Sequence, residues 1–119
     1  MPTTITWMKC QGEVWCPLGT VNLSHPYFEN IEGVYVIWHG GAAPATVRVG
    51  QGVIKERLAD HRNDQDIQKF ANQGLFVTWA VVPKELRDGV ERFLFERLGP
   101  IVGERAPDAP PVDVNLPWQ

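Results

Sequence analysis

The stretch from Gly33 to His61, GVYVIWHGGAAPATVRVGQGVIKERLADH, constrains the chain more than any other. Residues 34–39 alternate and are β-branched or aromatic, the signature of a strand with side chains on both faces of a sheet. GGAAP then breaks any helix and leaves room for an antiparallel return. A second strand is predicted over 46–49, stopping at Gly50, and a helix from Val53 to about Arg62. Arg57 and His61 lie four residues apart on that helix, so they share a face. A tyrosine on the first strand, a glycine-made corner and an Arg/His pair form an arrangement suited to handling phosphate.

The rest of the chain supplies cover for this hairpin. A helix over 65–73, capped by Asp64 and ended by Gly74, is expected next. LFVTWAVV at 75–82 is almost wholly apolar, so it reads as a strand inside the sheet. Pro83 opens a long helix whose stripe is Leu86, Val90, Phe93, Leu94 and Leu98. Glu85 and Glu96 fall on its solvated side, whereas Glu91 sits at the border of the stripe, where a cleft can form. Periodicity alone equally allows Glu91 to be a surface carboxylate paired with Arg87 or Lys84. Tyr35 likewise has a structural alternative, a core phenol tied to a backbone group.

After Gly99-Pro100 the chain turns proline-rich and irregular. Trp118 predicts that the tail packs back on the domain and brings Asn115 near the cleft. Residues 1–32 read as an extension with an extended or hairpin segment, packing on a domain over 33–119. Two tryptophans there need apolar surface to bury against.

Composition narrows the function classes. At 119 residues the chain suits one domain with a real core. Net charge is −3, and residues 48–69 hold five basic and four acidic side chains, so no broad basic patch is present. No apolar stretch is long enough to span a membrane, and the first residues lack a signal-peptide pattern, so the expected compartment is cytoplasmic. Cys10 and Cys16 lack the paired spacings of a zinc site and are expected to be reduced, mostly buried thiols. Phosphate-loop, GxSxG and HExxH motifs are absent.

The order of these elements resembles the GIY-YIG nuclease domain. Gly33-Val34-Tyr35 stands where that family has Gly-Ile-Tyr, and Arg48-Val49-Gly50 where it has Tyr-Ile-Gly. Arg57, His61, Glu91 and Asn115 follow in the family's order, so the resemblance covers residues 33 to about 117. Arg48 replaces the second motif's tyrosine. The resemblance implies an α/β (α+β) sandwich, with a small central three-stranded antiparallel sheet flanked by helices. It implies a metal-dependent endonuclease that hydrolyses phosphodiester bonds using one divalent metal, Mg²⁺ or Mn²⁺. Tyr35, Arg57, His61, Glu91 and Asn115 would be catalytic, with Glu91 the metal ligand. Arg48, His39 and Lys55 would contact substrate, a nucleic acid, with DNA favoured over RNA. A homodimer or a partner protein would be compatible with so small a domain. The alternative is a degenerate module of this kind that binds nucleic acid or protein without cutting.

Overall fold

A computed structural model of the chain describes residues 3–103 and 105–118. Its strands are β1 (Cys16–Pro17), β2 (Glu32–His39), β3 (Ala45–Val53) and β4 (Leu75–Val81). Its α-helices are α1 (Ile54–Arg62), α2 (Gln65–Gln68) and α3 (Lys84–Leu98), with short 3₁₀ turns at Pro26–Phe28 and Ala71–Gln73. The strands form one antiparallel sheet in the order β1-β4-β2-β3. The class is the expected α+β mix, but the sheet has four strands rather than three. The fourth comes from the N-terminal segment, where Cys16 pairs with Val77 and Pro17 with Phe76.

Each face of the sheet carries its own core. Tyr35, Ile37, Val77 and Trp79 pack with Ile54, Leu58 and Ile67 of α1 and α2. Val34, Val36 and Trp38 pack on the other face with Val90, Phe93 and Leu94 of α3. Alternation along β2 therefore sends one residue set to each helix layer, and both sets are apolar because both faces are covered.

Gly50 does not stop the second strand, which continues to Val53. The glycine is needed for another reason. It lies directly opposite Tyr35, and a Cβ there would fall 2.3 Å from the Tyr35 hydroxyl oxygen. Farther along, Ile37 pairs with Arg48 and Trp38 with Thr46, so Val47 is the extra residue of a β-bulge. A bulge bends the strand and re-aims the side chains beside it. The helix expected over 65–73 is shorter: α2 ends at Gln68 and the chain finishes in the 3₁₀ turn. Asp64 does cap it, accepting from the Asp66 amide at 2.9 Å.

The N-terminal segment is bound into this frame. The Met8 amide donates to the Trp79 carbonyl at 2.9 Å, and Thr78 Oγ1 donates to the Met8 carbonyl at 2.7 Å. That second bond satisfies the hydroxyl of the fully buried Thr78. Cys10 and Cys16 are joined in a disulfide with Cα atoms 5.2 Å apart, which corrects the expectation of reduced thiols. A regular hairpin would have kept the sulfurs apart. Instead Gly12 and Glu13 both take positive φ, Cys10 bridges to Val14, and the chain then leaves for β4. No helix among the described residues is long and apolar enough to cross a membrane.

Candidate active site

β3 is the outer strand of the sheet, and polar side chains from both helix layers meet around its edge. Tyr35 reaches from β2 over β3, into the space that the missing side chain of Gly50 leaves. Its hydroxyl lies 2.5 Å from Nε2 of His61, in the last turn of α1. Both side chains are buried, Tyr35 at 1% exposure and His61 at 7%.

The protonation of this pair follows from its surroundings. Burial pushes the Tyr35 phenol up to about 12 from its ordinary 10, with Glu91 adding to the rise and Arg48 and Arg57 opposing it. Burial pushes His61 down to about 4 from 6.5, helped by the positive charge of Arg48 and Arg57. At neutral pH the phenol is therefore protonated and the imidazole neutral. In the Nδ1–H tautomer of His61 the short hydrogen bond runs from the Tyr35 O–H to Nε2.

Arg48 is the charge common to the whole group. It acts electrostatically on Tyr35, His61 and Glu91 and hydrogen-bonds the Tyr35 side chain. Its Nε is buried with no hydrogen-bond partner among the described residues. A buried guanidinium N–H without an acceptor is uncommon and calls for an explanation. The segment after α3 helps cover it: the Val102 amide donates to the Val47 carbonyl at 2.8 Å, and a Cβ on Gly103 would stand 3.5 Å from an Arg48 terminal nitrogen. Arg57 is more open. It pairs with Asp60 at 2.6 Å, with both side chains substantially exposed, so the pairing is weak and readily exchanged.

Glu91 arrives from the opposite layer, on α3. It is half-buried, and burial raises its carboxyl above the usual range, while a hydrogen bond from Gln51 and the charge of Arg48 oppose that rise. The Gln51 amide also donates to Asp88 Oδ1 at 2.7 Å. Gln51 and Asp88 are not among the residues expected from the sequence. Period-two alternation carried past Gly50 would have turned Gln51 toward α3, so its signal was hidden by reading Gly50 as a strand end.

Tyr35, Arg48, Arg57, His61 and Glu91 thus act on one another, whereas three other candidates lie elsewhere. His39 stacks on Phe70 with ring centroids 5.3 Å apart, and its Nδ1 accepts from the Gly41 amide at 3.4 Å. Lys55 is exposed on α1, two residues from Arg57 and therefore on a different side of the helix. Asn115 is held away from the cluster by the N-terminal segment. Its Oδ1 accepts from the Ile5 amide at 2.7 Å and its Nδ2 donates to the Ile5 carbonyl at 3.0 Å. The tail does pack back, as Trp118 suggested, with its ring 5.3 Å from that of Trp38. That packing draws Asn115 to the N-terminal segment.

Among the described residues no group of three or more His, Cys, Asp or Glu side chains is arranged to hold a metal. The cluster offers one half-buried carboxylate, Glu91, and a hard divalent ion held by so few protein oxygens would keep most of its waters. Comparisons of the chain with protein-family models, with curated proteins and with solved structures found no match.

Proposed function

We propose that the chain is a divalent-metal-dependent phosphodiesterase acting on nucleic acid, DNA rather than RNA, in the manner of the GIY-YIG domains it resembles. One observation carries the reading: the Tyr35 phenol and the His61 imidazole are in hydrogen-bond contact on the face that Arg48 shares, and the charges of Arg48, Arg57 and Glu91 all act on that phenol. Purely structural polar clusters are normally closed, with every donor satisfied. Among the described residues, this one contains a guanidinium Nε with no acceptor and a second arginine whose ion-pair partner is an exposed aspartate.

Each side chain has a role that its environment favours. Arg57 and Arg48 hold the scissile phosphate, since a planar fork of donors matches two phosphate oxygens and offsets growing negative charge. Tyr35 and His61 move the proton. With substrate bound and the Tyr35 oxygen, buried in the free protein, opened to it, the attacking water gives a proton to that oxygen as the phenolic proton passes to His61 Nε2, so a free phenolate is never required. An anionic phosphate beside His61 raises its basicity, countering the burial that lowers it. The water's hydroxyl joins phosphorus, the bond to the leaving oxygen breaks, that oxygen takes a proton from solvent, and His61 returns to solvent the proton it received. Glu91 would hold the Mg²⁺ or Mn²⁺, which when bound supplies Lewis-acid charge for the leaving oxygen.

The test is incubation of the purified protein with branched, single-stranded and double-stranded substrates, with and without Mg²⁺ or Mn²⁺. The expected result is metal-dependent cutting that Glu91→Ala and Arg57→Ala each reduce about 100-fold or more, at unchanged fold. Salt-sensitive binding without cutting would instead favour a binding module built on the same cluster. Undiminished cutting by both variants would remove both assignments.

A further inference from the structure

A concavity of about 650 Å³ lies toward the opposite edge of the sheet from β3, against β4 and the N-terminal segment. Its volume is in the range that accommodates small molecules. Phe28 and Trp79 form an aromatic floor, and Tyr27 is fixed beside them by the Trp79 indole N–H donating to its hydroxyl at 3.0 Å. Both half-cystines, Cys10 and Cys16, line the wall. Their accessibility differs: Cys16 is 1% exposed, whereas Cys10 is only half-buried. Lys9, next to Cys10, also lines the cavity, and its ammonium stands 4.6 Å over the Trp15 ring. The cavity therefore offers a half-buried half-cystine and an apolar floor, with Lys9 at its rim and the Lys9 ammonium over Trp15, outside the lining.

The disulfide closes a short loop whose two ends are independently tied to β4. Met8 is bonded to Trp79 and Thr78 on one side, and Cys16 pairs with Val77 on the other. Opening the bond would release the residues between these anchors without dismantling the sheet.

We infer that the Cys10–Cys16 disulfide is a thiol-exchange site, reduced in the folded protein by a small carboxylate-bearing thiol that enters this cavity. A thiolate of that class attacks Cys10 Sγ and forms a mixed disulfide, while Cys16 leaves with the electron pair and takes up a proton. A second small thiol attacks the mixed disulfide, releases the small-molecule disulfide and leaves Cys10 as a thiol. Two small thiols are oxidised and one protein disulfide is reduced, so the exchange balances. Cys10 is the sulfur attacked because it is the accessible one, and Lys9 favours a thiol that carries negative charge. The inference does not depend on phosphodiester cleavage.

The probe is glutathione, with 2-mercaptoethanol as its uncharged counterpart, and the readout is alkylation of freed thiols followed by mass spectrometry. The native disulfide is expected to be reduced by millimolar glutathione while far-ultraviolet circular dichroism is unchanged. The melting temperature should fall by about 5–10 °C as the loop constraint is lost. In Cys16→Ser, Cys10 should form the mixed disulfide with glutathione disulfide; in Cys10→Ser, Cys16 should stay unmodified. Lys9→Glu should slow reduction by glutathione about 3–10-fold and leave the 2-mercaptoethanol rate unchanged, because only the charged thiol is attracted. The inference is overturned if wild-type protein resists both thiols until it is unfolded, if reduction melts the sheet, or if the two thiols respond equally to Lys9→Glu.

Discussion

The two ends of β2 make opposite use of the same kind of side chain. Tyr35 and His39 project from one strand, four residues apart, and both are buried. At the Tyr35 end the facing strand supplies Gly50, and the empty space lets the phenol reach His61. At the His39 end the facing residue is Ala45, and the imidazole lies flat on Phe70 with its Nδ1 on a turn amide. Both histidines are largely out of water, but His61 meets a phenol beside two guanidiniums, whereas His39 meets a phenyl ring and a turn amide. A buried histidine is thus not informative by itself. What the neighbouring strand leaves open decides whether it joins a working cluster or closes a turn.

The sharpest way to break this contrast is to fill the space. Gly50→Ala places a methyl group 2.3 Å from the Tyr35 oxygen, with the phenol itself fully buried. The ring must shift, at a cost of about 1–3 kcal/mol in stability. Because Tyr35 then loses its register with His61, cleavage should fall about 100-fold. Denaturant unfolding and initial cleavage rates measure the two effects; full activity in a stable Gly50→Ala protein would detach Tyr35 from the chemistry.

A second effect comes from acid. An unfolded imidazole takes its proton near pH 6.5, while His61 in the folded chain does so near 4. Between those values the unfolded state binds more protons, so stability is complete above pH 6.5 and declines as pH falls toward 4. The full decline is at most about 3 kcal/mol. The raised Glu91 carboxyl works in the opposite sense, because its stabilising protonated form is lost as pH rises. Comparing wild type with His61→Gln across pH 4–7 isolates the histidine. The variant should lack the acid-side decline, and parallel curves would show that His61 titrates normally. The pH window is the one bounded by the two His61 values.

The smallest effects belong to residues outside the cluster. Asn115→Ala removes both side-chain bonds to Ile5 and should cost about 1–2 kcal/mol, with cleavage unchanged. His39→Leu keeps the contact with Phe70 and gives up one long bond to Gly41, so it should cost less than about 1 kcal/mol. A cleavage loss in either variant, at unchanged melting temperature, would enlarge the site beyond the β3 edge.

Much of this was readable in the chain because periodicity reports which way a side chain points. The alternation of 34–39 assigned Tyr35 and Trp38 to different faces, and the α3 stripe left Glu91 at its border. Misreadings arose where one residue type serves two ends. Gly50 looked like a strand terminator, yet it is a close approach inside a longer strand, which also concealed Gln51. The Cys10–Cys16 bond depends on a turn with two successive positive-φ residues, one of them Glu13, that no local preference announces. Asn115 and Ile5 lie 110 residues apart, and nothing periodic links them. The bulge at Val47, next to Arg48, is likewise set by pairing with β2 rather than by the local sequence.

The central claim is that Tyr35 and His61 work as one unit on a phosphodiester. A double-mutant cycle on metal-dependent cleavage, using Tyr35→Phe, His61→Gln and the pair, measures that unit directly. Each single change should lower the rate about 100-fold, and the double mutant should be scarcely slower than either. Independent, additive losses, or a wild-type protein that cuts nothing with Mg²⁺ or Mn²⁺, would contradict the account.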